Sequence, residues 1–436
     1  MERYILLQNA RIADTQTSTL RDSDILIRRS DGESGSEIVA LGEDITPPSG
    51  KNVMLRTLNL FGRIVCPSFT DMRCDICEPG SRNRESFETL GEAAAYGGFG
   101  ALLSVPISGI DADEETVISY ILQNEKRAGR IKIYPSAPAL LRDRSPCDPS
   151  RLRDCGACAI GESGAASTSE MLAIMRSCAE NDILLVTHCE DRSISDGDMH
   201  LGHISSMLGY KGIPYAAEEI AVARNLLLAA ETSCRLHISH VSTKRSLDMI
   251  RNAKKSGVNV TCDTAVQYFT LTDSDVFYYS ANAKVEPPLR TSDDVAAVIE
   301  ALKDGTIDCI CSDHAPRTYA EKPSDFTKAL PGIIGLQSAF TVALSSLVME
   351  SHITIFDLIR LFCDNPASIL GHFFKIEVGA PAYLNVISLE HDTFFQVQNI
   401  KSKSKNSPYL ETSFRGCLTH TVIDGILNTN PDISEF

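Results

Sequence analysis

Several apolar segments of the chain end in titratable side chains, which are the residue types best able to do chemistry. These side chains are Asp71, Arg73, Asp75, His188, His240 and Asp313. Any one of them could be a buried group satisfied by hydrogen bonds, but four such segment ends are unlikely to arise by chance. Imidazoles and carboxylates transfer protons and hold metal ions. The set therefore predicts a functional site.

The segments that would position these side chains alternate between apolar strands and helical patterns from about residue 66 to 370. The strand-like segments include 101–105, 183–188, 235–240, 258–262 and 307–313, and the helical ones include 217–230, 244–256 and 291–304. Alternation of this length predicts a parallel sheet, and a closed (β/α)8 barrel is the most economical arrangement. In such a barrel, functional side chains lie at the carboxyl ends of the strands.

Both ends of the chain have the pattern of short strands. They lie at 5–7, 24–27 and 37–41 near the start, and at 382–389 and 416–427 near the end. We therefore predict an α/β protein with two parts. Residues 66–374 would form the barrel, and residues 1–65 and 375–436 would together form one small β-sandwich domain.

The overall charge and hydropathy exclude several classes of function. Among 436 residues, 57 acids outnumber 41 bases, for a formal net charge of −16. This balance argues against binding to nucleic acid or to an anionic membrane. No run approaches the roughly 18 apolar residues of a membrane span, and the first residues lack the pattern of a signal peptide. We expect a cytoplasmic protein.

The 14 cysteines include two Cys-x-x-Cys pairs, Cys74/Cys77 and Cys155/Cys158. Two such pairs can form a zinc site when about 15–20 residues separate them. Here the pairs lie about 80 residues apart. We therefore expect free thiols in a reducing compartment rather than a structural zinc site or a redox pair.

The segment 64–80 resembles the metal-binding segment of type I dihydroorotases in the amidohydrolase superfamily, whose pattern is Asp-x-His-x-His-x-Arg-Glu-Pro-Gly. Asp71 and the final Glu-Pro-Gly match that pattern. Further segments similar to family motifs follow in the family's order and cover most of the chain. They are 187–191, 237–243, 287–290, 312–316, 321–322, 331–336, 365–367 and 402–409.

The resemblance implies a metallo-hydrolase barrel in which zinc activates a water for attack on the ring amide of dihydroorotate. In the family, an aspartate after the last core strand shuttles the proton, and Asp313 has that position. The backbone of Pro331 and Gly332 would line the substrate pocket. The implied metal ligands are Glu162, His188, His240 and Asp313.

The chain departs from the family pattern at two metal positions, where Arg73 and Asp75 replace histidines. A guanidinium stays charged and has no lone pair to give to a metal. We expect Arg73 to pair with Asp75 or with Asp313 and to take the electrostatic place of one zinc ion. At most one zinc ion, or none, is then expected.

The substrate positions also depart from the family pattern. Cys77 replaces the arginine that clamps the substrate carboxylate, and a thiol cannot make that bidentate pair. Ile107 and Glu286 each replace an asparagine, and Glu286 would repel an anionic substrate. Arg317 replaces a histidine and could recapture a carboxylate, whereas the pair at 267–268, Gln-Tyr, replaces two histidines. Each lost transition-state contact typically slows a reaction by roughly 10²–10³-fold.

Three functions follow from these observations. The first is a dihydroorotase-like protein of pyrimidine biosynthesis that is inactive or severely impaired, and the resemblance implies a structural partnership with aspartate transcarbamoylase. The second is an active mononuclear zinc cyclic amidohydrolase, acting on dihydroorotate or on a related cyclic amide, in which Arg73 would point away from the pocket. The third is a binding protein for another small ligand in the same pocket. A homo-oligomer is compatible with each.

Overall fold

The computed structural model describes residues 2–29, 35–107 and 111–433. The strands are β1 (Glu2–Asp14), β2 (Thr19–Arg29), β3 (Ser36–Gly42), β4 (Val53–Asn59), β5 (Ile64–Pro67), β6 (Phe69–Cys74), β7 (Phe99–Ser104), β8 (Lys132–Tyr134), β9 (Ser136–Pro138), β10 (Ala159–Glu162), β11 (Leu184–His188), β12 (Met199–His200), β13 (Gly212–Ile213), β14 (Leu236–Ser239), β15 (Val260–Ala265), β16 (Cys309–Cys311), β17 (Tyr383–Phe394), β18 (Ser413–Ile423) and β19 (Ile426–Thr429). The α-helices are α1 (Phe87–Tyr96), α2 (Glu114–Asn124), α3 (Pro149–Asp154), α4 (Thr168–Glu180), α5 (His203–Leu208), α6 (Ala216–Thr232), α7 (Lys244–Lys255), α8 (Gln267–Thr270), α9 (Val276–Tyr279), α10 (Ser292–Lys303), α11 (Ala339–Ala343), α12 (Ile355–Phe362) and α13 (Asp364–Leu370).

Strands from both ends of the chain form one curled sheet in the order β19-β18-β17-β5-β1-β2-β3, with β4 beside β1. Side chains alternate along each strand. Ile5 and Leu7 of β1 therefore enter one apolar cluster, whereas Tyr4 and Leu6 enter another. The predicted domain made from both chain ends is thus present as a single curled sheet. Its strand β5 extends to Pro67, and the division of the chain at residues 65 and 375 stays a prediction.

The remaining long strands close into the predicted barrel. Parallel pairing runs through β6-β7-β8 and through β9-β10-β11-β14-β15-β16, and β8 and β9 are two halves of one barrel strand. A parallel bridge between Cys74, at the end of β6, and His314, after β16, joins the first and last strands. Eight parallel barrel strands, counting β8 and β9 as one, alternate with helices and confirm the (β/α)8 architecture.

The predicted helices are confirmed to within two residues at each end. α7 shows why this segment is helical: the Thr243 side chain caps the first turn by accepting from the Ser246 amide, and Leu247 and Ile250 bury one face. Lys254 and Lys255 lie in the last turn, where the helix dipole favours cations. None of the helices in the described ranges is long and apolar enough to cross a membrane.

A cluster of phenylalanines packs around the start of the first barrel strand. Phe69 opens β6, and its ring lies 4.5 Å from that of Phe340, 5.2 Å from that of Phe362 and 5.7 Å from that of Phe99. Aromatic pairs at such distances add about 0.5–1.5 kcal/mol each beyond their burial. This packing fixes the strand whose far end carries Asp71 and Arg73.

The cysteines are distributed through this core as thiols. All 14 lie in described segments, and each is free. Cys74 and Cys77 are buried, and burial raises the pKa of both thiols, so these two remain protonated at neutral pH.

His420, on β18, should give the protein a measurable pH dependence. Its ring is buried, and burial together with the charges of Arg63 and Arg56 lowers its pKa to about 4. Between about pH 6.5 and 4 the unfolded chain therefore binds a proton that the folded chain does not. As the pH is lowered through this window, the free energy of unfolding should fall by about 1.4 kcal/mol per pH unit because of this residue alone.

Chemical denaturation over a pH series measures this effect. His420→Gln should remove that part of the slope. Equal slopes for His420→Gln and the natural chain would contradict the prediction.

Candidate functional site

The predicted functional side chains meet at the carboxyl ends of the barrel strands. A cavity of about 590 Å³ opens there, and its wall includes Arg73, Glu162, His188, Glu286 and Arg317. The topology brings these side chains together, because all eight parallel strands end on the same side of the barrel. Several positions predicted from separate segments therefore line one space.

Arg73 enters the site and binds Asp313. Its Nε donates to Asp313 Oδ1 at 2.9 Å, and Gln267 Nε2 donates to Asp313 Oδ2 at 2.7 Å. Burial raises the pKa of the Asp313 carboxyl, and Arg73 partly offsets that rise. Both oxygens of the predicted base thus accept hydrogen bonds from protein groups. Of the two expected ion pairs of Arg73, the structure contains the one with Asp313.

Asp71 binds the residue that precedes Asp313 and so has a structural role. Its Oδ1 accepts from the Ser312 amide at 2.8 Å, and its Oδ2 accepts from the Ser312 hydroxyl. Complete burial raises its pKa to about 7. Asp71 therefore ties the end of β6 to the segment after β16 and helps to position the neighbouring Asp313.

His188 and His240 lie face to face. His188 Nδ1 is 3.1 Å from His240 Nε2, and the ring centroids are 4.8 Å apart. Burial, with a further contribution from the charge of Arg73, lowers the pKa of His240 well below its usual value, so its ring is neutral. The buried Nδ1 of His240 has no hydrogen-bond partner among the described residues.

Backbone strain marks the same strand ends. His240, Asp313 and Cys77 have φ angles of 42°, 46° and 58° in the left-handed region, which side chains other than glycine rarely adopt. Asp263 holds His240 there by accepting its amide at 2.5 Å. Strained residues of this kind cluster at functional sites.

Glu162 contributes a half-satisfied carboxylate to the cavity wall. Its Oε1 accepts from the amides of Ala165 and Ala166 at 2.7 and 2.9 Å. Its buried Oε2 has no hydrogen-bond partner among the described residues. Leaving a buried carboxylate oxygen unpaired is costly, so this atom would be stabilised by a bound cation or donor.

A possible metal-ligand cluster lies beside the histidine pair. One ligand atom from each of His188, Glu190 and Glu286 lies within 4.8 Å of the other two, and this is the one group of three or more potential ligands found in the described ranges. The distance from His188 Nε2 to Glu190 Oε2 is 3.4 Å. Glu286 faces the cavity, yet desolvation and, to a lesser extent, the nearby Glu190 raise its pKa.

The predicted ligand set, Glu162, His188, His240 and Asp313, is only partly brought together and stays a prediction. Sequence reasoning missed Glu190 as a candidate, although it belongs to the His-x-Glu-Asp motif at 188–191. Glu286 was predicted only as a group that repels substrate.

Asp75 and Arg317 face each other at the predicted substrate side. Arg317 Nη1 lies 3.4 Å from Asp75 Oδ2, and Arg317 Nε donates to the carbonyl of Pro331 at 2.9 Å. The Gly332 amide donates to the Lys284 carbonyl at 2.9 Å. Asp75 is thus paired away from Arg73, and the Pro331 and Gly332 groups predicted to line the substrate pocket are engaged by protein groups.

The other two predicted substrate residues, Cys77 and Ile107, have uncharged side chains. The Cys77 amide donates to Asp75 Oδ1 at 3.0 Å, and its buried thiol lies 3.7 Å from the Asp75 carbonyl. Ile107 is partly buried and packs against the main core. Neither side chain supplies a charge for an anionic substrate.

A buried ion pair between Glu218 and Arg290 joins two of the recognised motifs behind the site. Glu218 accepts from the amides of Ser242 and Thr243 at 3.2 and 3.0 Å, and Arg290 Nη2 lies 3.5 Å from Glu218 Oε2. Arg290 Nε also donates to the Ser242 hydroxyl at 3.0 Å. The Ser-Thr and Pro-Pro-Leu-Arg motifs therefore have a structural role in this chain.

Two family models match the sequence. The model described as "Dihydro-orotase-like" matches residues 62–246, and the model described as "Amidohydrolase family" matches residues 155–427. Together they cover the barrel and most of the second terminal segment.

Individual relatives match almost the whole chain. A dihydroorotase from Acetivibrio thermocellus is 37% identical over 427 residues, spanning 97% of this chain and 98% of the relative. A dihydroorotase from Geobacter metallireducens is 38% identical over 429 residues, again spanning 97% and 98%. Among solved structures, the L-hydantoinase of Arthrobacter aurescens covers 99% of this chain and 97% of its own, with a TM-score of 0.83 and 22% identity. That likeness shows the fold.

Proposed function

The chain belongs to the dihydroorotase family of amidohydrolases, and from this we propose that it is a dihydroorotase-like protein of pyrimidine biosynthesis. We propose further that its hydrolase activity is lost or severely impaired. The observation that carries this proposal is the ion pair between Arg73 and Asp313 at 2.9 Å. A general base must take its proton from a group within hydrogen-bond reach. Each oxygen of Asp313 already accepts a hydrogen bond, one from Arg73 and the other from Gln267, and these donors compete with the proton that Asp313 would have to accept.

The residues present fit a pair of zinc ions poorly. Zinc, when bound, would supply a nucleophilic hydroxide at neutral pH. Arg73 instead places a permanent cation at one of the expected ligand positions, and Asp75 is turned to Arg317. The donors that remain near the cavity, chiefly His188, can hold one ion at most.

The groups that would hold an anionic substrate are also weak. Cys77 is a buried, protonated thiol and cannot clamp a carboxylate. Arg317 carries the needed charge, but its Nε and Nη1 are bound to Pro331 and Asp75. Glu286 adds an acid to the cavity wall. Substrate positioning and water activation are therefore both impaired in this proposal.

Steady-state hydrolysis of dihydroorotate with added zinc tests this function. We expect a rate at least about 10³-fold below that of the Acetivibrio thermocellus relative assayed side by side, because more than one contact worth roughly 10²–10³-fold has been lost. A rate within about tenfold of the relative would overturn the proposal.

We further propose that the chain serves as a structural partner of aspartate transcarbamoylase, a role that the family resemblance implies. Size-exclusion chromatography of the purified chain, alone and mixed with that transferase, tests the proposal and also gives the state of self-association. Co-elution is expected, and separate elution at micromolar concentrations of both proteins would contradict it.

A second function, an active mononuclear cyclic amidohydrolase with a changed substrate, is favoured by one observation. The cavity of about 590 Å³ is retained and contains the unpaired Glu162 Oε2. Such an enzyme would open neutral rings better than dihydroorotate, because Glu286 disfavours anions. Assays with hydantoin and dihydrouracil, with Asp313→Ala as the control, distinguish it: turnover that the substitution abolishes would establish this function.

A further inference from the structure

One ring nitrogen of His188 faces a carboxylate at the edge of the cavity, and a second carboxylate lies nearby. Its Nδ1 faces His240 Nε2 at 3.1 Å, and its Nε2 faces Glu190 Oε2 at 3.4 Å. Glu286 completes a group whose ligand atoms all lie within 4.8 Å of one another. When His188 Nδ1–H donates to His240 Nε2, the lone pair of His188 Nε2 is left for a cation. A hydrogen bond of this kind fixes the tautomer of a metal-binding histidine.

We propose that His188, Glu190 and Glu286 bind one divalent transition-metal ion at a site shifted away from Asp313. Glu286 stands where the family pattern has an asparagine, so this ligand set is a property of this chain. The inference goes beyond the proposed function, because the ion would be bound whether or not any substrate is hydrolysed.

The distances suit such an ion. Bonds of about 2.1 Å place two ligand atoms of a tetrahedral zinc ion about 3.4 Å apart, which is the separation found between His188 Nε2 and Glu190 Oε2. Glu286 is the exposed member of the group, so its side chain can rotate toward the other two. Three protein ligands leave a fourth position, which would open into the cavity lined by His188 and Glu286.

A buried carboxylate in the same cavity wall would also be stabilised by a cation. Glu162, which is 5% exposed, lines the same cavity, and its Oε2 has no hydrogen-bond partner among the described residues. The guanidinium of Arg192 is also present at this wall, but it is bound to the Ser163 carbonyl at 2.7 and 3.1 Å. A divalent ion near His188 would compensate the negative charge of the acids around this histidine.

The donor set limits which metals fit. One imidazole nitrogen and two carboxylate oxygens suit Zn²⁺, Co²⁺ or Mn²⁺. The thiol of Cys189, next to His188 in the chain, contacts Thr187 and Asn225 instead. Soft ions that need sulfur ligands are therefore not expected.

Titration of the chelator-treated chain with Co²⁺ tests the site, because the visible absorption of bound Co²⁺ reports its coordination. One ion per chain is expected, and Zn²⁺ should displace it. Glu286→Gln, which keeps size and removes charge, should weaken binding by at least tenfold, since losing even an outer partner of a ligand costs about 10–100-fold.

Glu162→Gln is the comparison variant, because Glu162 lines the same cavity but lies outside the cluster, so it acts on the ion through its charge and not as a ligand. It should change the affinity far less than Glu286→Gln and should preserve the Co²⁺ spectrum. Loss of binding in Glu162→Gln or Asp313→Asn with full binding in Glu286→Gln would place the ion at the predicted ligand set and overturn the inference. Absence of any Co²⁺ binding by the natural chain, with circular dichroism showing a folded protein, would also overturn it.

The metal site and the proposed loss of hydrolase activity can be tested separately. Binding that depends on Glu286, without hydrolysis, supports both ideas. Metal-dependent hydrolysis that Glu286→Gln abolishes would support the metal site and overturn the proposed loss of activity.

Discussion

Replacing Arg73 by histidine should increase the zinc bound to the purified chain by about one ion per molecule. The substitution removes a cation and supplies a ligand at the same position. At an effective dielectric constant of about 20, a divalent ion about 4 Å from a guanidinium is repelled by roughly 8 kcal/mol. Asp313, freed from its 2.9 Å bond to Arg73, would regain an oxygen for the metal. Metal analysis after dialysis against a zinc buffer measures the change.

Arg73→Lys is the matched control, because it keeps the positive charge and supplies no neutral ligand. Its zinc content should equal that of the natural chain. If Arg73→His and Arg73→Lys bind the same amount of zinc, then the guanidinium is not what excludes the ion, and the structural argument for lost activity fails.

Replacing Glu218 by glutamine should lower the free energy of unfolding by about 3–5 kcal/mol, the usual cost of breaking a buried ion pair. Glu218 and Arg290 are both almost fully buried, and the guanidinium would lose this carboxylate partner. The amides of Ser242 and Thr243 would also lose a charged acceptor. Urea denaturation followed by circular dichroism measures the loss.

The next residue on α6 provides the comparison. Glu219 pairs with Arg245, whose side chain is 75% exposed, and an exposed pair contributes only about 0–1 kcal/mol. Glu219→Gln should therefore have a small effect. Equal effects of the two substitutions would show that the buried network does not stabilise the barrel.

Much of the fold could be predicted because it depends on local patterns. Apolar runs such as 183–188 and amphipathic segments such as 244–256 alternate clearly, and they are strand β11 and helix α7 in the structure. Composition could not show that one barrel strand is split into β8 and β9. The single curled form of the terminal sheet depends on pairing between residues hundreds of positions apart, such as Val65 and Val386.

The site was harder to predict, because its contacts depend on which partner each long side chain reaches. The sequence left two partners open for Arg73, and the fold places Asp313 against it while Arg317, 242 residues from Asp75, takes the other acid. Glu286 was recognised as an acid in the pocket. Its closeness to His188 arises only when β11 and the loop after β15 meet at the barrel mouth.

The structure also separates the recognised motifs by role. Asp71 anchors the Ser312 backbone, and Glu218 joins the Ser-Thr motif to Arg290. These contacts stabilise the frame and need no metal or substrate. The departures fall instead at Arg73 and Cys77, where ligand and substrate contacts would be made. The frame can therefore persist after the chemistry is lost, which is the basis of the proposed function.

The most direct test of this account is the initial rate of dihydroorotate ring opening by the zinc-supplemented chain, measured alone and with aspartate transcarbamoylase. The account predicts a rate at least about 10³-fold below that of the Acetivibrio thermocellus relative in both samples. Turnover within about tenfold of that relative that Asp313→Ala abolishes would contradict it, because Asp313 would then act as an efficient base despite its contacts with Arg73 and Gln267.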